Sequence, residues 1–181
     1  YVRAMLTELG SDTHVVAVCQ PGPPTLAAVA LMAQDKDPAR PLTMTFMGSP
    51  IDTRLSPTVP NKLAQEHPFE WFADNLIHTV TVPNAGAMRR VYPGFLQLAG
   101  FVNMNLDRHV DAHKQYFADL VKGDGDEADR HRTFYDEYLA VMDLSEEFYL
   151  QTICDVFQKH KLATGTQEVN GQLVEPASIT D

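Results

Sequence analysis

The stretch His14-Val-Val-Ala-Val-Cys-Gln-Pro-Gly-Pro-Pro24 runs from a β-branched apolar segment into a cluster of prolines, and this junction decides the fold. Residues 14–19 show little polar alternation, the pattern of a strand covered on both faces of a parallel sheet. Proline is welcome in the first turn of a helix, so Pro23 and Pro24 predict a helix whose body, residues 25–33, is apolar all round. Residues 35–41 break that helix. Leu42-Thr-Met-Thr-Phe-Met47 then supplies a second strand before Gly48-Ser49-Pro50. Strand, helix and strand at this spacing predict one parallel βαβ unit.

After Asp52 the pattern changes to helix and connector, with no further convincing strand. Asn61 is a candidate cap for a helix reaching Ile77 and split by Pro68, and Pro93 starts another. The stripe Val110, His113, Phe117, Leu120 and Val121 predicts a helix that ends at Gly123. Asp126 and Glu127 open a helix expected to bury Phe134, Tyr138, Leu139 and Met142. Asp143 and Glu146 form a capping pair for a last helix with Phe148, Ile153, Val156 and Phe157. The organisation predicted is a core segment at 1–53, a mainly helical cap at 54–163 and a polar connector at 164–181. A lone βαβ unit leaves both sheet edges open, so Tyr1 and Asp181 are read as internal positions of a larger α/β protein. The cap is expected over the C-terminal strand ends, where such proteins place their sites.

With 14 Lys and Arg against 24 Asp and Glu, the net charge of −10 over 181 residues would repel a phosphate backbone, which argues against a nucleic-acid partner. Hydrophobic residues at 44% and charged residues at 21% exclude a disordered chain. No run approaches the roughly 20 apolar residues of a membrane span. Two cysteines do not make a disulfide scaffold, and a cytoplasmic setting is expected.

Cys19 sits where the buried strand turns sharply into the helix. That is the geometry of a nucleophile elbow, in which the turn lifts the side chain above the sheet and leaves the next N–H, that of Gln20, to donate to an oxyanion. The positive end of the helix also favours a thiolate. The common pentapeptide is Gly-x-Ser-x-Gly; here Ala17 keeps the first small residue and Pro21 departs from the second. The position equally suits a small buried hydrophobe.

The proline-rich stretch above, Met47-Gly-Ser-Pro-Ile-Asp-Thr-Arg-Leu-Ser-Pro-Thr58, Arg90-Val-Tyr-Pro-Gly-Phe-Leu-Gln-Leu98, Phe134-Tyr-Asp-Glu-Tyr-Leu-Ala-Val-Met-Asp143 and Phe148-Tyr-Leu-Gln-Thr152 together resemble the intracellular poly(3-hydroxybutyrate) depolymerase family. The resemblance implies an α/β-hydrolase fold with a cysteine nucleophile, matched by Cys19 in Cys19-Gln20-Pro21. It implies attack by Cys19 on a polyhydroxyalkanoate ester, an acyl-enzyme, hydrolysis by water and no cofactor. It also implies a triad acid and histidine beyond Asp181, a polymer or oligomer substrate, and work in the cytoplasm or at a storage-granule surface. Two alternatives stay open: a polyhydroxyalkanoate synthase, disfavoured by Ala17 and Pro21, and a granule-associated binding protein with an inert cysteine.

Other candidates have plainer readings. Asp52 follows the second strand, where some α/β-hydrolases carry their acid, but reads better as a turn residue. His109 and His113, four apart on a helix, read as packing residues and no metal site is predicted. Asp124-Gly125-Asp126 reads as a helix start. Most of the aromatic residues between 71 and 135 read as core and a minority as a groove for an aliphatic polyester.

Overall fold

The computed structural model describes residues 1–180 and opens with a helix absent from the sequence reading, α1 (Val2–Leu9). Strand β1 (His14–Val18), helix α2 (Gly22–Gln34) and strand β2 (Thr43–Met47) follow, and β1 and β2 pair in parallel with His14 opposite Thr43 and Val18 opposite Met47. The βαβ unit is therefore present. Residues Ala27, Ala30 and Leu31 of α2 pack against Leu162 and Val174, while Val29 and Met32 pack against Leu6 and Ala39. Each large apolar side chain so enclosed contributes about 1.5–3 kcal/mol.

Two expectations for this region change. Only one face of the two-stranded sheet is covered: Ala17 is buried, but Val16 and Val18 are 62% and 57% exposed, and Met47 beside them is also exposed. An unbroken apolar run therefore does not distinguish a strand covered on both faces from one with a bare apolar face. The polar segment after Thr164, read as a connector, folds back. It forms a hairpin of β6 (Glu168–Val169) and β7 (Gln172–Leu173) and seats Val174, 1% exposed, against α2. The Gln34 amide holds it there, donating to the Leu173 carbonyl and accepting from the Glu175 N–H.

The chain divides into two compact units, Tyr1–His67 with the residues from Gln151 onward, and Pro68–Leu150. The first also contains α3 (Val59–Glu66) and a π-helical segment, Ile153–Gln158. Helix α3 starts two residues before the expected cap: Thr58 is the N-cap, Pro60 lies in the first turn and Asn61 is buried inside the helix.

The second unit holds α4 (Phe69–Leu76), α5 (Gly94–Met104), α6 (Leu106–Lys122) and α7 (Gly125–Tyr138), and α8 (Glu146–Thr152) crosses its boundary. Contrary to the sequence reading, it also contains a small antiparallel sheet of β3 (His78–Thr79), β4 (Arg90–Tyr92) and β5 (Leu144–Ser145). Strands of two and three residues carry no periodicity to read. Helices α6 and α7 end and begin as expected, at a left-handed Gly123 and at Asp124, whose carboxylate accepts from the Glu127 N–H.

Their inner faces match the reading only in part. His113 and Tyr138 lie between the helices as expected, but Phe117, Val121, Phe134, Leu139 and Met142 are exposed, and the remaining contacts come from His109, Tyr116, His131 and Tyr135. Asp143 caps a different helix from the one expected: its Oδ1 accepts from the Gly94 N–H at 2.7 Å, at the start of α5, while Ser145 Oγ accepts from Phe148 N.

This cross-chain cap predicts two effects. Asp143→Ala leaves a first-turn N–H of α5 unpaired and lowers stability by about 1 kcal/mol in urea unfolding, with Asp143→Asn much milder. A Cβ at Gly94 would lie 2.2 Å from the Val141 carbonyl oxygen, so Gly94→Ala destabilises as well. Wild-type stability in both variants would exclude the Gly94–Asp143 junction as a structural element.

Candidate active site

The β1–β2 ladder continues one bond past the strand, with the Cys19 N–H donating to the Met47 carbonyl at 2.8 Å. The chain then turns abruptly. Cys19 takes a φ of 64°, a left-handed conformation that side chains other than glycine rarely adopt, and the Gly22 N–H closes the turn onto the Cys19 carbonyl at 3.1 Å. Such a residue costs on the order of 1–3 kcal/mol and persists only where its surroundings hold it. Here the sheet bond holds one side and the first turn of α2 the other. The cysteine side chain is exposed, as is Gln20, whose N–H meets no acceptor among the described residues.

Close approach explains the residues around the turn. A Cβ at Gly22 would lie 2.3 Å from both Cβ and Oγ of Ser49, which follows β2, and Ser49 Oγ donates to the Ala17 carbonyl at 3.3 Å. The small residue the turn needs therefore sits one position after Pro21, which itself serves as the N-cap of α2.

Asp52 is spoken for by its own turn. Arg54 grips both carboxylate oxygens, Nε to Oδ1 at 2.8 Å and Nη2 to Oδ2 at 2.7 Å, and its N–H adds a third bond to Oδ1. The side-chain bonds from Arg54 push the Asp52 carboxyl down to about 2, with smaller help from the Arg54 N–H and charge and from His160. Next to it, buried Thr53 places Oγ1 3.1 Å from His160 Nδ1, which also lies 3.2 Å from the Val156 carbonyl. A carbonyl only accepts, so Nδ1 carries the proton. His160 was not singled out in the sequence, and residues 107 apart leave no local signal of their meeting. No histidine among the described residues hydrogen-bonds to Cys19.

His109 and His113 are engaged within their helix pair. The two ring nitrogens of His109 meet the hydroxyls of Tyr135 and Tyr138, and His113 Nδ1 donates to the His109 carbonyl. Among the described residues no three His, Cys, Asp or Glu side chains converge as metal ligands do. No helix among them is long and apolar enough to cross a membrane.

The chain is thus a mixed helix-and-sheet protein in which a cysteine of positive φ stands between β1 and α2. Residues 48–181 match the family described as PHB de-polymerase C-terminus, and the chain belongs to the PHB depolymerase family. Cys19 and Gln20 precede the matched residues. No curated protein and no solved structure matches the chain. Membership links the chain to poly(3-hydroxybutyrate) and to hydrolases.

Two outcomes test the local geometry. Because the folded-state value of Asp52 is depressed, its contribution to stability is present above the unfolded value of about 3.9 and is lost as pH falls through about 2. Arg54→Gln moves the Asp52 midpoint up toward about 3.9 in a carboxyl NMR titration, and an unmoved midpoint would remove Arg54 as the cause. Gly22→Ala forces Ser49 away and costs about 1–3 kcal/mol, read by thermal unfolding; a neutral substitution would show that the approach is slack.

Proposed function

We propose that Cys19 is the nucleophile of a polyester hydrolase of the α/β-hydrolase type acting on poly(3-hydroxybutyrate) or its oligomers. The observation that carries this is the positive φ of Cys19 at the junction of β1 and α2, in a chain of the PHB depolymerase family. In this reading residues 1–53 belong to the hydrolase core and 54–163 form its helical insertion. Residues 164–181 serve as the connector, and their described part, through 180, folds back onto α2.

The Cys19 thiolate adds to the ester carbonyl carbon, and the carbonyl π electrons move to its oxygen, which the Gln20 N–H stabilises. Collapse breaks the ester C–O bond, and the departing alkoxide takes a proton to become the hydroxyl end of one product. Water then adds to the thioester and expels the thiolate, releasing a carboxylate. The proton transfers require a base, and no histidine of residues 1–180 is bonded to Cys19, so this reading takes its base from outside these residues. The reaction would proceed at the surface of a cytoplasmic storage granule.

A second reading, a granule-binding protein with an inert cysteine, is favoured by one feature: exposed Phe95, Phe101, Phe117 and Phe134 in the unit Pro68–Leu150. Polymer hydrolysis by the complete natural chain separates the two. Cys19→Ala is expected to lose about 10³-fold or more of the activity while still adsorbing to granules. Hydrolysis that survives this substitution would exclude Cys19 as nucleophile, and no hydrolysis by the wild type would favour the binder.

A further inference from the structure

Between α6 and α7 lies a cavity of about 630 Å³, lined by Arg108, His109, Tyr116, Phe134, Tyr135 and Tyr138 among others, a size suited to a small ligand. Its hydrogen-bond arithmetic leaves something over. His109 Nδ1 lies 2.8 Å from the Tyr135 hydroxyl and its Nε2 3.3 Å from the Tyr138 hydroxyl. A neutral imidazole donates through one nitrogen and accepts through the other, so one tyrosine gives its proton to the ring and the other accepts from it. The accepting tyrosine keeps its own O–H proton, which finds no other acceptor among the described residues.

The charges point the same way. Glu127 pairs with Arg130, and Asp119 accepts from the Gln115 amide at 2.7 Å. Arg108 makes no ion pair or hydrogen bond among the described residues, yet its charge is felt at the Tyr135 hydroxyl, opposing the upward push that burial gives that group. His131, facing Tyr116 and Tyr135 and near His113 and Asp119, has its proton affinity lowered by burial first and by His113 second. The cavity thus offers a guanidinium and at least one phenolic donor beside aromatic faces, and its two carboxylates already have partners. A carboxylate carrying a short, weakly polar chain satisfies all three features.

We propose that this cavity binds the carboxylate end of a hydroxyacyl oligomer, with Arg108 and a Tyr135 or Tyr138 hydroxyl on the carboxylate and Phe134 and Tyr116 against the chain. The choice of a hydroxyacyl ligand rests on the polyester reading above; the carboxylate rests on the cavity itself. Ester hydrolysis creates such an end at every cleavage, so occupancy would report product or hold a cut chain.

The test uses the chain with Cys19→Ala, so that nothing turns over, and follows NMR shifts of His109, Tyr135 and Tyr138 during titration with 3-hydroxybutyrate trimer as the free acid and as its methyl ester. Saturable shifts with the acid are expected, at least tenfold weaker with the ester and with Arg108→Gln, and several-fold weaker with Tyr135→Phe. Equal binding of acid and ester, or binding untouched by Arg108→Gln, overturns the proposal. So does the absence of shifts at these residues in a protein whose hydrolytic activity has been demonstrated. Binding by the acid in a protein that proves not to hydrolyse polyester would support the site while removing the enzymatic reading.

Discussion

Helix α2 has no polar face, and the unit that contains it is arranged to keep water from it. Nine of its thirteen residues are buried. Leu6 of α1 and the inner face of the sheet cover one side, Leu162 and Val174 the other, and Ile179 packs against both. Because α2 is pinned laterally, its first turn is fixed relative to β1, and the short link between them must reverse direction within Cys19, Gln20 and Pro21. The left-handed backbone of Cys19 follows from that constraint. Strain at the cysteine is thus balanced by apolar burial along the helix, an arrangement in which a core holds an exposed cysteine in a conformation it would not choose alone.

The strand-to-helix junction at Cys19 was legible because every signal for it is local. A β-branched run, prolines at a helix start and a small residue before the cysteine all lie within one short stretch, and β1 and α2 form as those residues dictate. The second unit was less legible because its organising contacts are distant or polar. Asp143 looks like the cap of the helix that follows it, yet bonds to Gly94, 49 residues away. Apolar spacing along α6 pointed to Val110, His113, Phe117, Leu120 and Val121 as the inner face, and of these His113 lies in the seam while the other four are exposed. The actual seam uses His109, Tyr116, His131 and Tyr135, side chains that count as polar in a periodicity argument but bury ring area and satisfy one another's hydrogen bonds.

Asp52 is held by its own turn. It lies on the loop after β2, and both of its carboxylate oxygens accept from Arg54. What that loop does supply is Ser49, whose side chain fills the space left by the missing Cβ of Gly22 and whose hydroxyl ties to the Ala17 carbonyl. Thr53 and His160 anchor the same loop further along. The loop therefore acts on the elbow through packing and backbone bonds, holding strand and helix at the spacing the turn requires.

The exposed apolar surfaces of the two units call for different physical explanations. On β1 and β2, Val16, Val18 and Met47 form a row on one sheet face, and the outer edges of both strands lack strand partners among the described residues, so this surface combines bare apolar area with open backbone groups. On α5 to α7 the exposed Phe95, Phe101, Phe117 and Phe134 stand on helices whose backbone groups are satisfied internally, so this surface needs no further hydrogen-bonding partner to be stable. A water-insoluble polyester offers apolar area and weak acceptors but no backbone donors. Under the polyester reading such a polymer would suit the helical surface rather than the sheet edge, whose carbonyls need donors.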